Sequence, residues 1–145
     1  MNLTANDRVR LIGIADSSSF GNPRQIRKSH RPHTTKETDT NRMDKIAGLK
    51  AILELDAKNS FARYGIAMEL AAQGETAAAL AEFDTLLAND PDYTAGYFMS
   101  AQTLSSSGRT AEAIERLKAG ISCAARTGNR HALSEMQGML DELER

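Results

Sequence analysis

No tryptophan occurs in this chain and only one cysteine, Cys123. A lone thiol can build neither a disulfide framework nor a cysteine-ligated metal site, and it points to a reducing compartment, read here as the cytoplasm. Long apolar runs are missing as well. The most apolar stretch near the start, Leu11 to Ala15, is five residues long and stops at Asp16. It is too short to span a membrane or to form the apolar core of a secretory signal, even with Arg8 and Arg10 ahead of it. Recognisable catalytic patterns are absent too: no phosphate-cradling glycine loop, no nucleophile elbow around a serine, no paired histidines flanking a glutamate on a helix. The carboxylates are spread over polar faces, and Glu112 with Arg116 four residues on reads as a surface pair contributing about 0.2–0.5 kcal/mol. Cys123, among Ile121, Ala124 and Ala125, reads as a small buried hydrophobe. His131 reads as an exposed residue in the first turn of the last helix, where a cation is mildly disfavoured. The expectation is a protein that is not an enzyme, with no metal and no cofactor.

A nearly neutral total, net −1, conceals a split. Residues 1–42 hold eight Lys or Arg against four Asp or Glu, net +4, whereas residues 43–145 hold ten against fifteen, net −5. The first segment carries two of the three prolines and has no apolar residue between Ile26 and Met43 other than Pro32. Such a segment buries too little apolar surface to offset an ordering cost of about 1–2 kcal/mol per residue. It is therefore expected to be a disordered basic tail. Because the patterned region starts at Met43, a second expectation is that translation begins there and that residues 1–42 are a non-native or misassigned extension. Within the tail, Arg24, Arg27, Lys28, His30, Arg31 and His33 form a basic cluster of the kind that contacts phosphate. No aromatic interleaves it to stack on bases, so a solvated tail is the better reading and nucleic acid is not the expected partner. His30 and His33 lack a third ligand nearby, which argues against a metal site.

What the rest of the chain does have is a period. Sliding residues 60–93 over residues 94–127 superposes Ala67 on Ala101, Leu70 on Leu104, Gly74 on Gly108, Thr76 on Thr110, Ala77 on Ala111 and Ala79 on Ala113, 34 residues apart. Apolar character persists at Tyr64 with Phe98, Leu80 with Ile114, Phe83 with Leu117 and Leu87 with Ile121. A fixed spacing of this length, with helical periodicity on both sides of each shared glycine, marks a stack of helix pairs. Ala67 and Ala101 would let helix axes approach to about 8–10 Å. Gly74 and Gly108 would end the first helix of each pair in a left-handed turn, Thr76 and Thr110 would cap the second, and Asp90 with Pro91 would open the next pair as a cap and first-turn proline. Upstream, residues 43–59 place Ile46, Leu49, Ile52 and Leu53 on one face, half a repeat. Downstream, residues 130–144 place Leu133, Met136, Leu140 and Leu143 at spacings of three and four after the breaker Thr127–Gly128–Asn129, whose Asn129 offers a cap. This last helix is expected to solvate the end of the stack.

These residues resemble the tetratricopeptide repeat. The first copy keeps Ala67, Leu70, Gly74, Ala79, Phe83 and the closing Pro91; the second keeps Tyr97, Ala101, Leu104, Gly108, Ala113 and Leu117. Two positions depart from the pattern: Ala125 stands where a closing proline would fall, and Arg63 where an aromatic is usual. The resemblance, which extends to small stand-alone bacterial proteins of this type, implies an all-α fold, a short right-handed α-solenoid of about six helices. Its repeats would be residues 60–93 and 94–127, inside a helical domain spanning residues 43–145. It also implies a concave groove lined by the first helix of each pair: Phe61, Tyr64, Met68, Ala71 and Ala72 beside Ala95, Phe98, Gln102, Ser105 and Ser106. Tyr64 and Met68 stand where relatives that grip a peptide C-terminus carry Lys and Asn, which argues against a carboxylate clamp. The function expected is binding of another protein, as a peptide segment or helix in that groove. The alternative is a structural protein that completes its short stack as a homodimer.

Overall fold

The computed structural model describes residues 35–145, so the expectations placed on residues 1–34, the basic cluster and the His30–His33 pair among them, lie outside the described residues. By contact density the chain divides into two units, Met1–Thr38 and Asp39–Arg145. Among the described residues six helices follow in order: α1 (Thr35–Leu55), α2 (Ser60–Ala72), α3 (Thr76–Asn89), α4 (Thr94–Ser106), α5 (Thr110–Thr127) and α6 (Arg130–Leu143). No strand occurs among the described residues, and no helix among them is long and apolar enough to cross a membrane.

Three glycines set the joints. Gly74 and Gly108 both take φ of 80°, and Gly128 takes 74°, the left-handed region that a side chain bearing Cβ avoids. After each, an amide reaches back to the closing turn in the same way: Glu75 to the Leu70 carbonyl, Arg109 to Leu104 and Asn129 to Ala124, each at 2.9 Å. This is the six-to-one bond of a Schellman ending. It corrects the expected caps, because the residue right after each glycine becomes the helix boundary. Glu75 and Arg109 occupy the cap positions without a side-chain bond, and Thr76 and Thr110 are already helical. Asp90 and Pro91 are corrected likewise. Asp90 ends α3, its carboxylate accepting from Ser60 Oγ at 2.9 Å and from the Asp92 amide at 3.3 Å. Pro91 lies in the turn before α4, which begins only at Thr94. Asn129 does cap α6, accepting from the Ala132 amide at 3.1 Å.

The first helix also differs from expectation. It starts at Thr35 rather than Met43 and ends at Leu55 rather than Asn59. At the front, Glu37 sits in the first turn where a carboxylate suits the helix dipole. At the back, Asn59 is taken as the cap of α2, its Oδ1 accepting from the Ala62 amide at 2.9 Å. The segment 35–42, expected to be disordered, is thus helical.

Packing runs from neighbour to neighbour. Ala67, Ala79, Leu80, Phe83, Leu86, Leu104 and Ala113 form one buried cluster; Ala101, Leu117, Ala124, Met136 and Leu140 form the next. Ala67 and Ala101 are fully buried. Arg63, in the place of the usual aromatic, donates to Glu82 Oε2 at 2.7 Å and to the Ala57 carbonyl at 3.0 Å, tying α2 to α3 and to the preceding loop. In the second pair the exchange is reversed: Arg116 on α5 donates to the buried Ser100 hydroxyl at 3.1 Å and to Asp84 Oδ1 at 2.7 Å. Glu112 is paired with Arg109, three residues earlier, at 2.6 Å, not with Arg116. Arg116 is turned away from Glu112 by these two acceptors.

Besides its sequence neighbours, α4 touches α2 on one side and α6 on the other, while α3 and α5 do not meet to a comparable degree. The stack therefore curves with α2, α4 and α6 inside. Because α5 runs 18 residues against 14 for α3, α6 begins 36 residues after α4 rather than 34. At the other end, α1 meets α2 through Leu49, whose Cδ1 fills the space over Gly65, and through the ion pair of Lys45 with Glu69.

Candidate functional site

The inner face holds two adjoining depressions. One, of about 490 Å³, lies between α2 and α4; Met68, Ala71 and Ala72 face Met99, Gln102, Thr103, Ser106 and Ser107 across it, with Gly74 and Thr76 at its end. The other, of about 500 Å³, lies between α4 and α6 and is lined by Phe98 and Gln102 on one wall and Glu135, Gly138, Met139 and Glu142 on the other. Gln102 belongs to both and is exposed. It stands at the ridge between them.

Of the ten residues expected in a groove, Met68, Ala71, Ala72, Gln102 and Ser106 come together in the first depression, and Phe98 and Gln102 in the second. The remaining four, Phe61, Tyr64, Ala95 and Ser105, line neither. Tyr64 turns toward the core: its ring meets Phe83 edge-on at 6.3 Å between centroids and Tyr93 at 5.3 Å. Burial holds the Tyr64 phenol above its ordinary pKa. Phe61 is 71% exposed at the end of the stack, and Ala95 is exposed at the start of α4.

Several lining residues were not expected. Met99 and Thr103 flank Gln102 on α4, and Glu135, Gly138, Met139 and Glu142 belong to a helix read as a solvated end. With Met136 and Leu140 buried against α4 and α5, α6 stands as the first helix of a third pair and lends its other side to the inner face. Realigning α6 at a 36-residue offset, as its capping by Asn129 requires, puts Gly138 in register with Gln102 and Glu142 with Ser106.

On the outer face a wider depression of about 730 Å³ runs between α3 and α5 over Leu87, Ala88 and Ala119, with Asp84 and Arg116 bridging it. Cys123 is buried, its thiol donating to the Pro91 carbonyl at 3.4 Å. Burial raises the thiol's pKa, with Arg126 opposing. His131 lies 3.3 Å from Glu135. No group of three or more metal-ligating side chains occurs among the described residues.

Antiparallel helix pairs joined by left-handed glycines, with first helices gathered on a concave side, define a helical-repeat protein. Residues 70–135 match the tetratricopeptide repeat family. A tetratricopeptide repeat domain protein from Salinibacter ruber, solved by NMR, is 32% identical; the match covers 61% of this chain and 90% of that one, with a TM-score of 0.58. A TPR repeat-containing protein of Pseudomonas aeruginosa is 27% identical over 100 residues, 69% of this chain and 95% of the relative. The chain belongs to the tetratricopeptide repeat family. The Yersinia enterocolitica type III secretion chaperone SycD, solved with a peptide of the translocator YopD, shares the fold at 21% identity and a TM-score of 0.65, over 75% of this chain and 84% of that one.

Proposed function

We propose that this protein is an interaction module that binds a segment of another protein, peptide or helix, along the inner face of α2, α4 and α6. The observation that carries the reading is the pair of depressions meeting at Gln102, lined largely by apolar and small side chains, among which Met68, Met99, Phe98 and Met139 pack against the core yet stay partly open to solvent. Concave, mostly apolar surfaces with a few polar groups are where segments dock. The relation to SycD, whose structure was solved with a peptide of its translocator, supports the same reading. No catalytic role is assigned, and the single thiol suits a reducing compartment such as the cytoplasm.

The test is Gln102→Trp. An indole at this exposed ridge obstructs the path from one depression to the other without entering the core, so capture of partners by the full chain should be lost while the melting temperature stays within a degree or two. Retention of capture by the folded variant would move the binding surface elsewhere. A second reading, self-association, is favoured by one observation: Met43, Leu55 and Phe61 are 70%, 92% and 71% exposed at the leading end. Light scattering across a range of concentrations tests it, and a monomer throughout would exclude it.

A further inference from the structure

Charge is distributed unequally between the two faces. The outer face mixes both signs in pairs: Arg116 with Asp84, Arg109 with Glu112 and Lys118 with Glu115. The inner depressions contain no Lys or Arg. The one between α2 and α4 is lined by no charged residue, and the one between α4 and α6 has Glu135 and Glu142 on its wall. Among the described residues Glu142 has no ion-pair partner, and Glu135 faces only the His131 imidazole, itself 86% exposed. The apolar lining is soft in both: Phe98 and Met139 beside these carboxylates in one depression, Met68 and Met99 in the other. Methionines adapt to different apolar shapes, since an unbranched thioether has three rotatable bonds.

We propose that the segment bound on the inner face is cationic and amphipathic. Large apolar side chains on one side of it seat over Phe98, Met139, Met68 and Met99, and Lys or Arg side chains flanking them reach Glu135 and Glu142. The inference rests on the reading of the inner face as the binding surface. Its physical basis is desolvation: any partner covering the α4–α6 depression withdraws two carboxylates from water, which is costly unless the partner brings the opposite charge. An acidic or neutral segment brings none. A cationic one turns the cost into attraction and speeds encounter with a domain of net charge −5 over residues 43–145.

The probe is a synthetic helix-forming peptide with Leu at i, i+3, i+4 and i+7 and Lys at the remaining positions, compared with the same peptide carrying Glu in place of Lys. Both are labelled and titrated with the full chain by fluorescence anisotropy. The cationic peptide should bind at least tenfold more tightly. Glu142→Lys and Glu135→Lys should each weaken it about 3- to 10-fold, the scale of partly exposed charge pairs turned repulsive, whereas Glu115→Lys on the outer face should change it less than twofold. Equal binding of the two peptides, equal sensitivity to Glu115→Lys, or no binding of the cationic peptide overturns the proposal. Gln102→Trp separates this failure from that of the site itself. If both peptides bind equally and both are lost in Gln102→Trp, the groove stands and its charge preference falls. If the cationic peptide binds undiminished to Gln102→Trp, the inner face is not where it docks, and both readings fall.

Discussion

Gly120 and Gly108 are buried and exposed glycines with opposite reasons for being there. At Gly120 a Cβ would lie 2.7 Å from the Cβ of Tyr97 and would run into the Met136 thioether. The methionine can swing aside, but Tyr97 Cβ is fixed to the α4 backbone. Gly120→Ala should therefore cost about 1–3 kcal/mol by overpacking, less the gain of up to about 1 kcal/mol that alanine brings to a helix interior. At Gly108 nothing lies within 4 Å of the added Cβ, and the whole penalty is backbone strain. Gly108→Val and Gly74→Val, at the same φ of 80°, should each cost about 1–3 kcal/mol. Urea denaturation of the three variants checks both figures, and a neutral Gly120→Ala would mean that the helices separate freely there. The turn glycines were legible because the sequence around them repeats. Gly120 was not, since it aligns with Leu86 and only the folded chain reveals that Met136 fills the room a leucine takes in the preceding repeat.

Helix starts in this stack are capped unevenly. α2 and α6 begin with asparagines whose side chains accept from the amide three residues on, at 2.9 and 3.1 Å. α3 and α5 begin at Glu75 and Arg109 with no such bond. Asn59→Ala and Asn129→Ala should each destabilise the domain by about 1 kcal/mol, whereas Glu75→Ala should cost a few tenths. Thermal melts of the three alanine variants distinguish the classes; a Glu75→Ala loss matching the asparagine variants would refute the assignment. Element existence was readable in the sequence from the 34-residue period and the apolar spacing. Boundaries were less so, because Asn59 could close one helix or open another, and the hydrogen bond that decides it runs to the following helix. The role of α6 was hidden by two extra residues' worth of offset, which arises from the length of α5 and which no local pattern announces. That one shift concealed four of the six residues lining the second depression.

For the molecule as a whole, alkaline pH should be the weak side. Burial raises the Tyr64, Tyr93 and Tyr97 phenols above 10.0 and the Cys123 thiol above 9.0. An acid whose folded pKa is raised contributes stability that is complete below its unfolded pKa and is lost as pH climbs through the folded value. The melting temperature should accordingly hold to about pH 9 and then fall, and Cys123→Ala should delay the first part of the fall. A melting temperature that rises between pH 9 and 11 would contradict the burial of these groups. The net negative charge of residues 43–145 acts in the same direction, through self-repulsion.

Because α2 to α6 each pack chiefly on the helices just before and after them in the chain, nothing in this stack has to wait for a distant segment. At a synthesis rate of about 5–20 residues per second, a repeat of 34 residues takes about 2–7 s to emerge. Helices form within about a microsecond, and packing of this local kind follows in microseconds to milliseconds. Each pair can thus dock on its predecessor long before the next has left the ribosome. The order in which the stack is read out is also the order in which it can be assembled.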